Sequence, residues 1–352
     1  MTGHSAESAT RESATDAAAN AADAPFLARV VVTGASGFVG TAVVRELVAR
    51  GHKAVCLVRN REKLAVRTDQ LAADRYEIVE GDLFDDEALQ AAVVGAEACI
   101  HLAGVIFQRR WAGQTFRRVH VEATRRVLDA CQAAGVRRIA HMSALGARPD
   151  AVSRYHRTKF EAEGLVRSGG LDWTIFRPSI IHGPYGEFMR LMKTFVAEAW
   201  VPALGVLPSP IPVIPCFGDG MNKLQPIDVT DVAHCMVASL SMPTTIGRVF
   251  ACGGPKAITW RDLYRICREK IPGAKSWKPV VGLPVWLAKA LALSPAMLLP
   301  ILPGYMRFNV DQVQMSQEDS VCDTAPLEQA FGIRLRDFET ELARYAPLIP
   351  GG

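Results

Sequence analysis

An α/β protein, with a doubly wound parallel sheet and a smaller C-terminal lobe, is the fold class this sequence predicts. Three observations carry it. Short apolar runs alternate with helix-period stretches from Phe26 to Pro184. A glycine-rich turn follows the first apolar run and opens the first helical stretch. Beyond Pro184 the alternation gives way to a proline-dense region, which marks a second unit.

The elements follow in order. "RVVVTG" (29–34) reads as a buried strand. "VGTAVVRELVARG" (39–51) sets Val39, Val43, Leu47 and Val48 on one helical face and stops at Gly51. Further strands are expected at "KAVCLVR" (53–59), "YEIVEGDL" (76–83), "ACIHLAG" (98–104), "VRRIAHMSA" (136–144) and "LDWTIFRPS" (171–179). Helices fit between them at 85–94, behind the acidic Asp85, Asp86 and Glu87, at 114–134, and at 153–168 before Gly169-Gly170. Strands alternating with helices imply a parallel sheet covered on both faces.

The prolines of 185–220 forbid one continuous helix there. "QPIDVTDVAHCMVASL" (225–240) and "GRVFACGG" (247–254) return to compact strand and helix, and "TWRDLYRICREK" (259–270) is amphipathic. The division expected is a tail over 1–25, a nucleotide-binding domain over 26–184, and a substrate lobe over 185–346, with 225–254 rejoining the sheet. The tail is small, polar and without an apolar core, so it reads as disordered and not as a secretory signal.

Composition excludes several classes. A net charge of +4 with dispersed basic residues announces no nucleic-acid surface. The arginine doublets 109/110, 117/118, 125/126 and 137/138 read as solvated surface, with attraction of an anionic partner or lipid head group as the sharper alternative. The eight cysteines stand singly, mostly in apolar runs, which fits buried free thiols in a reducing, cytoplasmic compartment and no zinc site or disulfide framework. His101, His141, His156, His182 and His234 have no metal-ligand spacing and read as structural. The apolar stretch 280–303 is interrupted by Pro284, Pro295, Pro300 and Pro303, which argues against a membrane-spanning helix. It reads as a pocket wall, or as a short helix (Trp286, Leu287, Ala290, Leu291) resting on the inner face of the cell membrane.

"VVVTGASGFVG" places Gly34, Gly37 and Gly40 between a strand and a helix, with Ser36, Phe38 and Val39 in the same turn. Glycines there permit close backbone approach to a pyrophosphate, and the helix N-terminus adds free N–H groups. This makes the sheet a Rossmann-type one. An acid at the end of the second strand would select NAD; the chain has Arg59 there, with Arg61 and Lys63 nearby, so NADP is favoured over NAD. Asp82 and Leu83 follow the third strand within reach of an adenine, and Leu102, Ala103 and Gly104 follow the fourth.

"SRYHRTKFEAEG" (153–164) puts Tyr155 and Lys159 four residues apart, on one helical face. With 6 Tyr and 10 Lys in 352 residues, random placement gives roughly 0.17 such pairs. The pair gains weight from its place twelve residues after Ser143. TGASGFVG, GDL, HLAG, that Ser, YHRTK and "FRPSIIHGP" together resemble the short-chain dehydrogenase/reductase superfamily, over roughly 26–340. The large lobe with "PIDVTDVA" is similar to its extended and atypical branches, which include epimerases and dehydratases. "HMSALGA" and "DQVQMSQEDSV" (311–321) look most like the atypical group that contains the nucleotide-binding accessory subunit of respiratory complex I.

The resemblance implies roles. Tyr155 would exchange a proton with a carbonyl or alcohol, Lys159 would lower the Tyr155 pKa and bind the nicotinamide ribose, and Ser143 would hold the substrate oxygen. A free phenol titrates near pH ~10, so such a role needs a neighbouring cation. Pro178 and Ile181 would pack near the nicotinamide. His120 falls where the superfamily usually has an asparagine, so the usual support of the lysine is altered. Three readings follow. One is reversible reduction of a small or lipophilic carbonyl, or a quinone-like substrate. The others are a non-catalytic cofactor-binding partner of a respiratory membrane complex, and a nucleotide-sugar epimerase or dehydratase. Asp228 and Asp231 read as capping or solvated carboxylates.

Overall fold

The computed structural model describes residues 29–351 apart from 69–70, 73, 110–111, 198–199, 204–206, 211 and 295–303. The expected tail over 1–25, Arg110 and the second half of the apolar 280–303 stretch lie outside the described residues.

Six strands form where the apolar runs predict them: β1 (Arg29–Thr33), β2 (Lys53–Val58), β3 (Tyr76–Glu80), β4 (Ala98–His101), β5 (Arg138–Met142) and β6 (Asp172–Pro178). Five helices accompany them: α1 (Phe38–Ala49), α2 (Arg61–Thr68), α3 (Asp86–Val93), α4 (Ala123–Ala133) and α5 (Arg154–Ser168). The polar α2, "REKLAVRT", was not expected, because its sequence carries almost no apolar stripe. The strand Arg248–Cys252 completes a seven-stranded sheet in the order Arg248–Cys252, β6, β5, β4, β1, β2, β3. All its pairings are parallel.

Alternation along each strand feeds two cores. Val30 and Val32 face one, with Val43, Leu47, Val232 and Met236; Val31, Cys99 and Ile139 face the other, with Val127, Leu128 and Val166. The strand order reverses at β1 between β2 and β4, so the crevice beyond the carboxyl ends of β1 and β4 is where a ligand of such a sheet sits.

The C-terminal region has its own core. Met189 and Met192 of the helix Glu187–Ala197 pack with Leu263 and Cys267 of Trp260–Lys270 and with Leu342 and Tyr345 of Phe338–Tyr345. Trp260–Lys270 begins in a reciprocal capping box between Thr259 and Asp262. Short strand pairs knit the lobe together, among them Ile181–His182 with Ile227–Asp228 and Ile214–Phe217 with Val280–Leu283. The helix Val285–Ala292 leaves Trp286 71% exposed, and among the described residues no helix is long and apolar enough to cross a membrane.

Several single-residue expectations need correction. Arg138 is not solvated: it is buried in β5, where its guanidinium donates to Asp172 O, Ser239 O and the hydroxyls of Thr174 and Thr245. These acceptors satisfy its two terminal nitrogens, while its buried Nε has no partner. The 114–134 helix is not uniform: Arg117–Glu122 is π-helical, with Ala123 N donating to Arg118 O before α4 begins. Asp228 and Asp231 are buried, not solvated; Asp228 caps Val229–Ser239 through Thr230 N, and Asp231 holds the backbone and guanidinium of Arg336.

Candidate active site

The glycine turn owes its shape to missing side chains. Gly34 has φ +74°, and its Cα lies so close to the next strand's exit that a Cβ would stand 3.2 Å from Ala103 N. At Gly40 a Cβ would stand 2.2 Å from Gly34 O and 2.7 Å from Ala35 Cα, both backbone. Gly37 N donates to Gly34 O at 2.9 Å and closes the turn. Gly37 caps α1 without a side-chain acceptor, and no acidic residue occupies the first turn, so the helix end keeps its N–H groups and positive potential for an anion. Ser36, Phe38 and Val39 form the same corner, where the Phe38 ring lies against Gly183 and Gly186. Gly40→Ala is expected to lower Tm and weaken NAD(P)H binding at least tenfold, because the clashing atoms are main chain and cannot move aside. Thermal melts and cofactor fluorescence titration check it.

The adenosine side is less enclosed. Arg59 is exposed just past β2, with no hydrogen-bond partner among the described residues. Arg61 is turned away, donating to Ile78 O, and its backbone N–H is 3.4 Å from Glu80 Oε1. Asp82 is exposed beyond β3, and its Oδ1 accepts from Phe84 N in a local turn. Leu83 O accepts from Arg126 Nε. Beside the glycine turn, Leu102 N donates to Thr33 O, and Ala103 and Gly104 lead out of β4.

Lys159 and Tyr155 come from the first two turns of α5, which Ser153 caps through His156 N. Lys159 is 3% exposed and its Nζ donates to Met142 O at 2.8 Å. Burial pulls its pKa down to about 8, with Glu163 opposing. A Cβ on Gly104 would stand 3.3 Å from that Nζ, so the ammonium reaches the floor of the crevice. Ser143 follows Met142 directly; its Oγ is buried and has no partner. An orphaned buried hydroxyl is costly and calls for a ligand to pair with it. Pro178 ends β6 and its carbonyl accepts from Leu145 N; Ile181 starts the next short strand.

Tyr155 is half-buried, edge-on to His120 at 5.3 Å and to Phe116 at 5.8 Å between ring centroids. Burial pushes its phenol up to about 12. Lys159, one helical turn further along, gives its ammonium to Met142 O.

His120 explains its own presence. Its Nδ1 lies 2.9 Å from Thr158 Oγ1, and its Nε2 lies 3.1 Å from Val105 N and 3.0 Å from Val105 O. Burial, then the Lys159 charge, holds the imidazole well below its usual range, so it is neutral. The ring ties the loop after β4 to α5, and the π-turn sets its position. Beneath it, Thr124 Oγ1 donates to His120 O, His101 Nε2–H donates to Thr124, and Thr33 donates to His101 Nδ1 at 2.6 Å. His141 stacks on His101 with both nitrogens buried and unpartnered. Sequence reasoning missed Thr158, Thr124 and the Met142 carbonyl; only Thr158, one position before Lys159, had a signal in the helical spacing.

The residues present fit a dinucleotide: a cradle that a Cβ would fill, an uncapped helix end, and an orphaned hydroxyl beside a buried ammonium. Comparisons agree. Residues 34–187 match a family described as NAD(P)H-binding. The chain is 34% identical over 237 residues to Ceramide reductase from Caulobacter vibrioides, covering 67% of this chain and 68% of that protein. It is 29% identical over 297 residues to NADH dehydrogenase (ubiquinone) 1 alpha subcomplex subunit 9, mitochondrial, from Arabidopsis thaliana, covering 82% and 70%. The solved structure of MoeE5 in complex with UDP-glucose and NAD superimposes with a TM-score of 0.66 at 20% identity, covering 91% of this chain and 98% of that one, which shows the shared fold. The chain thus carries an NAD(P)-binding domain of oxidoreductase type.

Proposed function

The chain belongs to the short-chain dehydrogenase/reductase superfamily, and from that premise we propose that it is an NADP(H)-dependent reductase of a lipophilic carbonyl, with Tyr155 as the proton donor. What supports this reading is the buried Lys159 ammonium on Met142 O, the residue before the orphaned Ser143 hydroxyl, with Tyr155 one helical turn before Lys159. When bound, the nicotinamide would supply the hydride. Gly34, Ser36, Gly37, Phe38, Val39 and Gly40 would hold the pyrophosphate, Asp82, Leu83, Leu102, Ala103 and Gly104 would border the adenosine and nicotinamide sides, and Pro178 and Ile181 would back the ring. Lys159 would hold the ribose hydroxyls. Ser143 would donate to the substrate carbonyl, which removes its unpaired state. A phenol pushed up to about 12 is protonated at neutral pH, so Tyr155 is set to give a proton.

Arg59 supports the NADP preference, as an exposed cation with no competing partner among the described residues. Arg59→Glu is expected to weaken NADPH binding about tenfold and leave NADH within threefold. Fluorescence titration with both cofactors reads this. Similarity to Ceramide reductase supports a lipophilic substrate, with the protein cytoplasmic and peripheral on the inner face of the cell membrane. The test of the whole reading is NADPH oxidation by purified protein against long-chain ketones, aldehydes and quinones. Turnover supports it. Tight cofactor binding with no turnover on any compound would instead favour a second reading, a cofactor-stabilised partner of a respiratory complex. Similarity to complex I subunits from Arabidopsis thaliana and Neurospora crassa is the observation behind that one.

A further inference from the structure

The segment Asn309–Ser320 bonds to the loops and helix end that surround the candidate site. Asn309 Nδ2 donates to Ile106 O, in the loop after β4, at 2.8 Å. Glu318 accepts from Arg148 Nη2, beyond β5, at 2.7 Å. The Ser320 hydroxyl lies 2.9 Å from that of Ser179, beyond β6, while its main chain bonds Lys223 O and Gln225 N. Between these anchors, Asp311 reaches α5: its Oδ1 accepts from Arg154 N–H at 2.5 Å.

That last bond is unusual in its reach. The amides of a helix's first turn lack intrahelical acceptors. Ser153 satisfies His156 N from next door. Asp311, itself only 9% exposed, satisfies Arg154 N from 157 residues away. Tyr155 sits between the two capped amides. Its Cα–Cβ bond tilts toward the helix N-terminus, so the phenol's position follows the geometry of that turn.

We propose that Asp311 is a positioning residue for Tyr155: by accepting the Arg154 amide it fixes the first turn of α5, and the strap Asn309–Ser320 thereby assembles the reacting end of the site. The proposal rests on Tyr155 as proton donor, and it has a test that does not need turnover. In full-length protein loaded with NADPH, Asp311→Ala is expected to speed amide hydrogen exchange over 153–159 about fivefold. Asp311→Asn keeps an acceptor oxygen, and its exchange should stay within twofold of wild type. With 2-decanone and menadione as probes, Asp311→Ala should lower kcat about fivefold or more with KM for NADPH unchanged, and Asp311→Asn should restore it. Unchanged exchange in Asp311→Ala would overturn the proposal. So would faster exchange with unaltered kcat, or an Asp311→Asn variant that behaves like Asp311→Ala. If neither probe is turned over by wild type, the exchange result alone decides the capping role, and the failure falls on the reductase reading.

Discussion

Tyr155→Phe is expected to lower kcat for carbonyl reduction by about 10²–10⁴-fold, the usual contribution of a positioned general acid. NADPH affinity and Tm should stay close to wild type. The ring makes the contacts that fix this side chain, edge-on to Phe116, His120 and His156, and phenylalanine keeps them. The hydroxyl has no hydrogen-bond partner among the described residues, so its removal orphans no buried group. The variant therefore separates proton transfer from folding. A fall in Tm or cofactor affinity that matches the fall in rate would assign Tyr155 a structural role instead.

The second large effect is on stability in acid. His101, His156 and His182 are buried, and burial lowers their pKa values to about 3, 4 and 4. His120 and His141 are held well below the usual range for the same reason, with the Lys159 charge adding to it. The sign follows from proton counts. Below pH ~6.5 the unfolded chain protonates these imidazoles while the native one does not, so unfolding takes up protons and stability falls with pH. It is intact above that value and is lost progressively down to the folded pKa values. Each of the three with a stated value removes about 2 kcal/mol between pH 7 and 5. His120 and His141 act in the same direction. The denaturant midpoint should therefore drop steeply over that interval, with a proton uptake of several per molecule. A midpoint that stays flat between pH 7 and 5 would show that these imidazoles are not buried neutral.

Much of the fold was legible because its signals are local. Each strand of β1 to β6 is a short apolar run ending at a turn, and the parallel order follows from the helices between them. The glycine turn was legible because Gly40 admits no other residue there. Arg138 was misread because a cation in "VRRIAH" looks solvated until Thr174, Ser239 and Thr245 arrive from distant segments to satisfy it. The π-turn at His120 was hidden, since its one extra residue leaves the helical pattern almost unchanged. The capping of α5 by Asp311 was hidden too, because no local rule joins residues 157 apart. The Lys159–Met142 bond depends on how α5 lies over β5, which side-chain spacing does not encode.

The most direct test is transfer of the label itself. Purified protein is given NADPH carrying deuterium at the transferable position of the nicotinamide, together with a long-chain ketone, and the alcohol is analysed by mass. The account predicts deuterium on the carbinol carbon in more than one equivalent per protein chain, and its loss in Tyr155→Phe with cofactor still bound. Cofactor held tightly, with no labelled alcohol from wild type across the ketones and aldehydes, would contradict it.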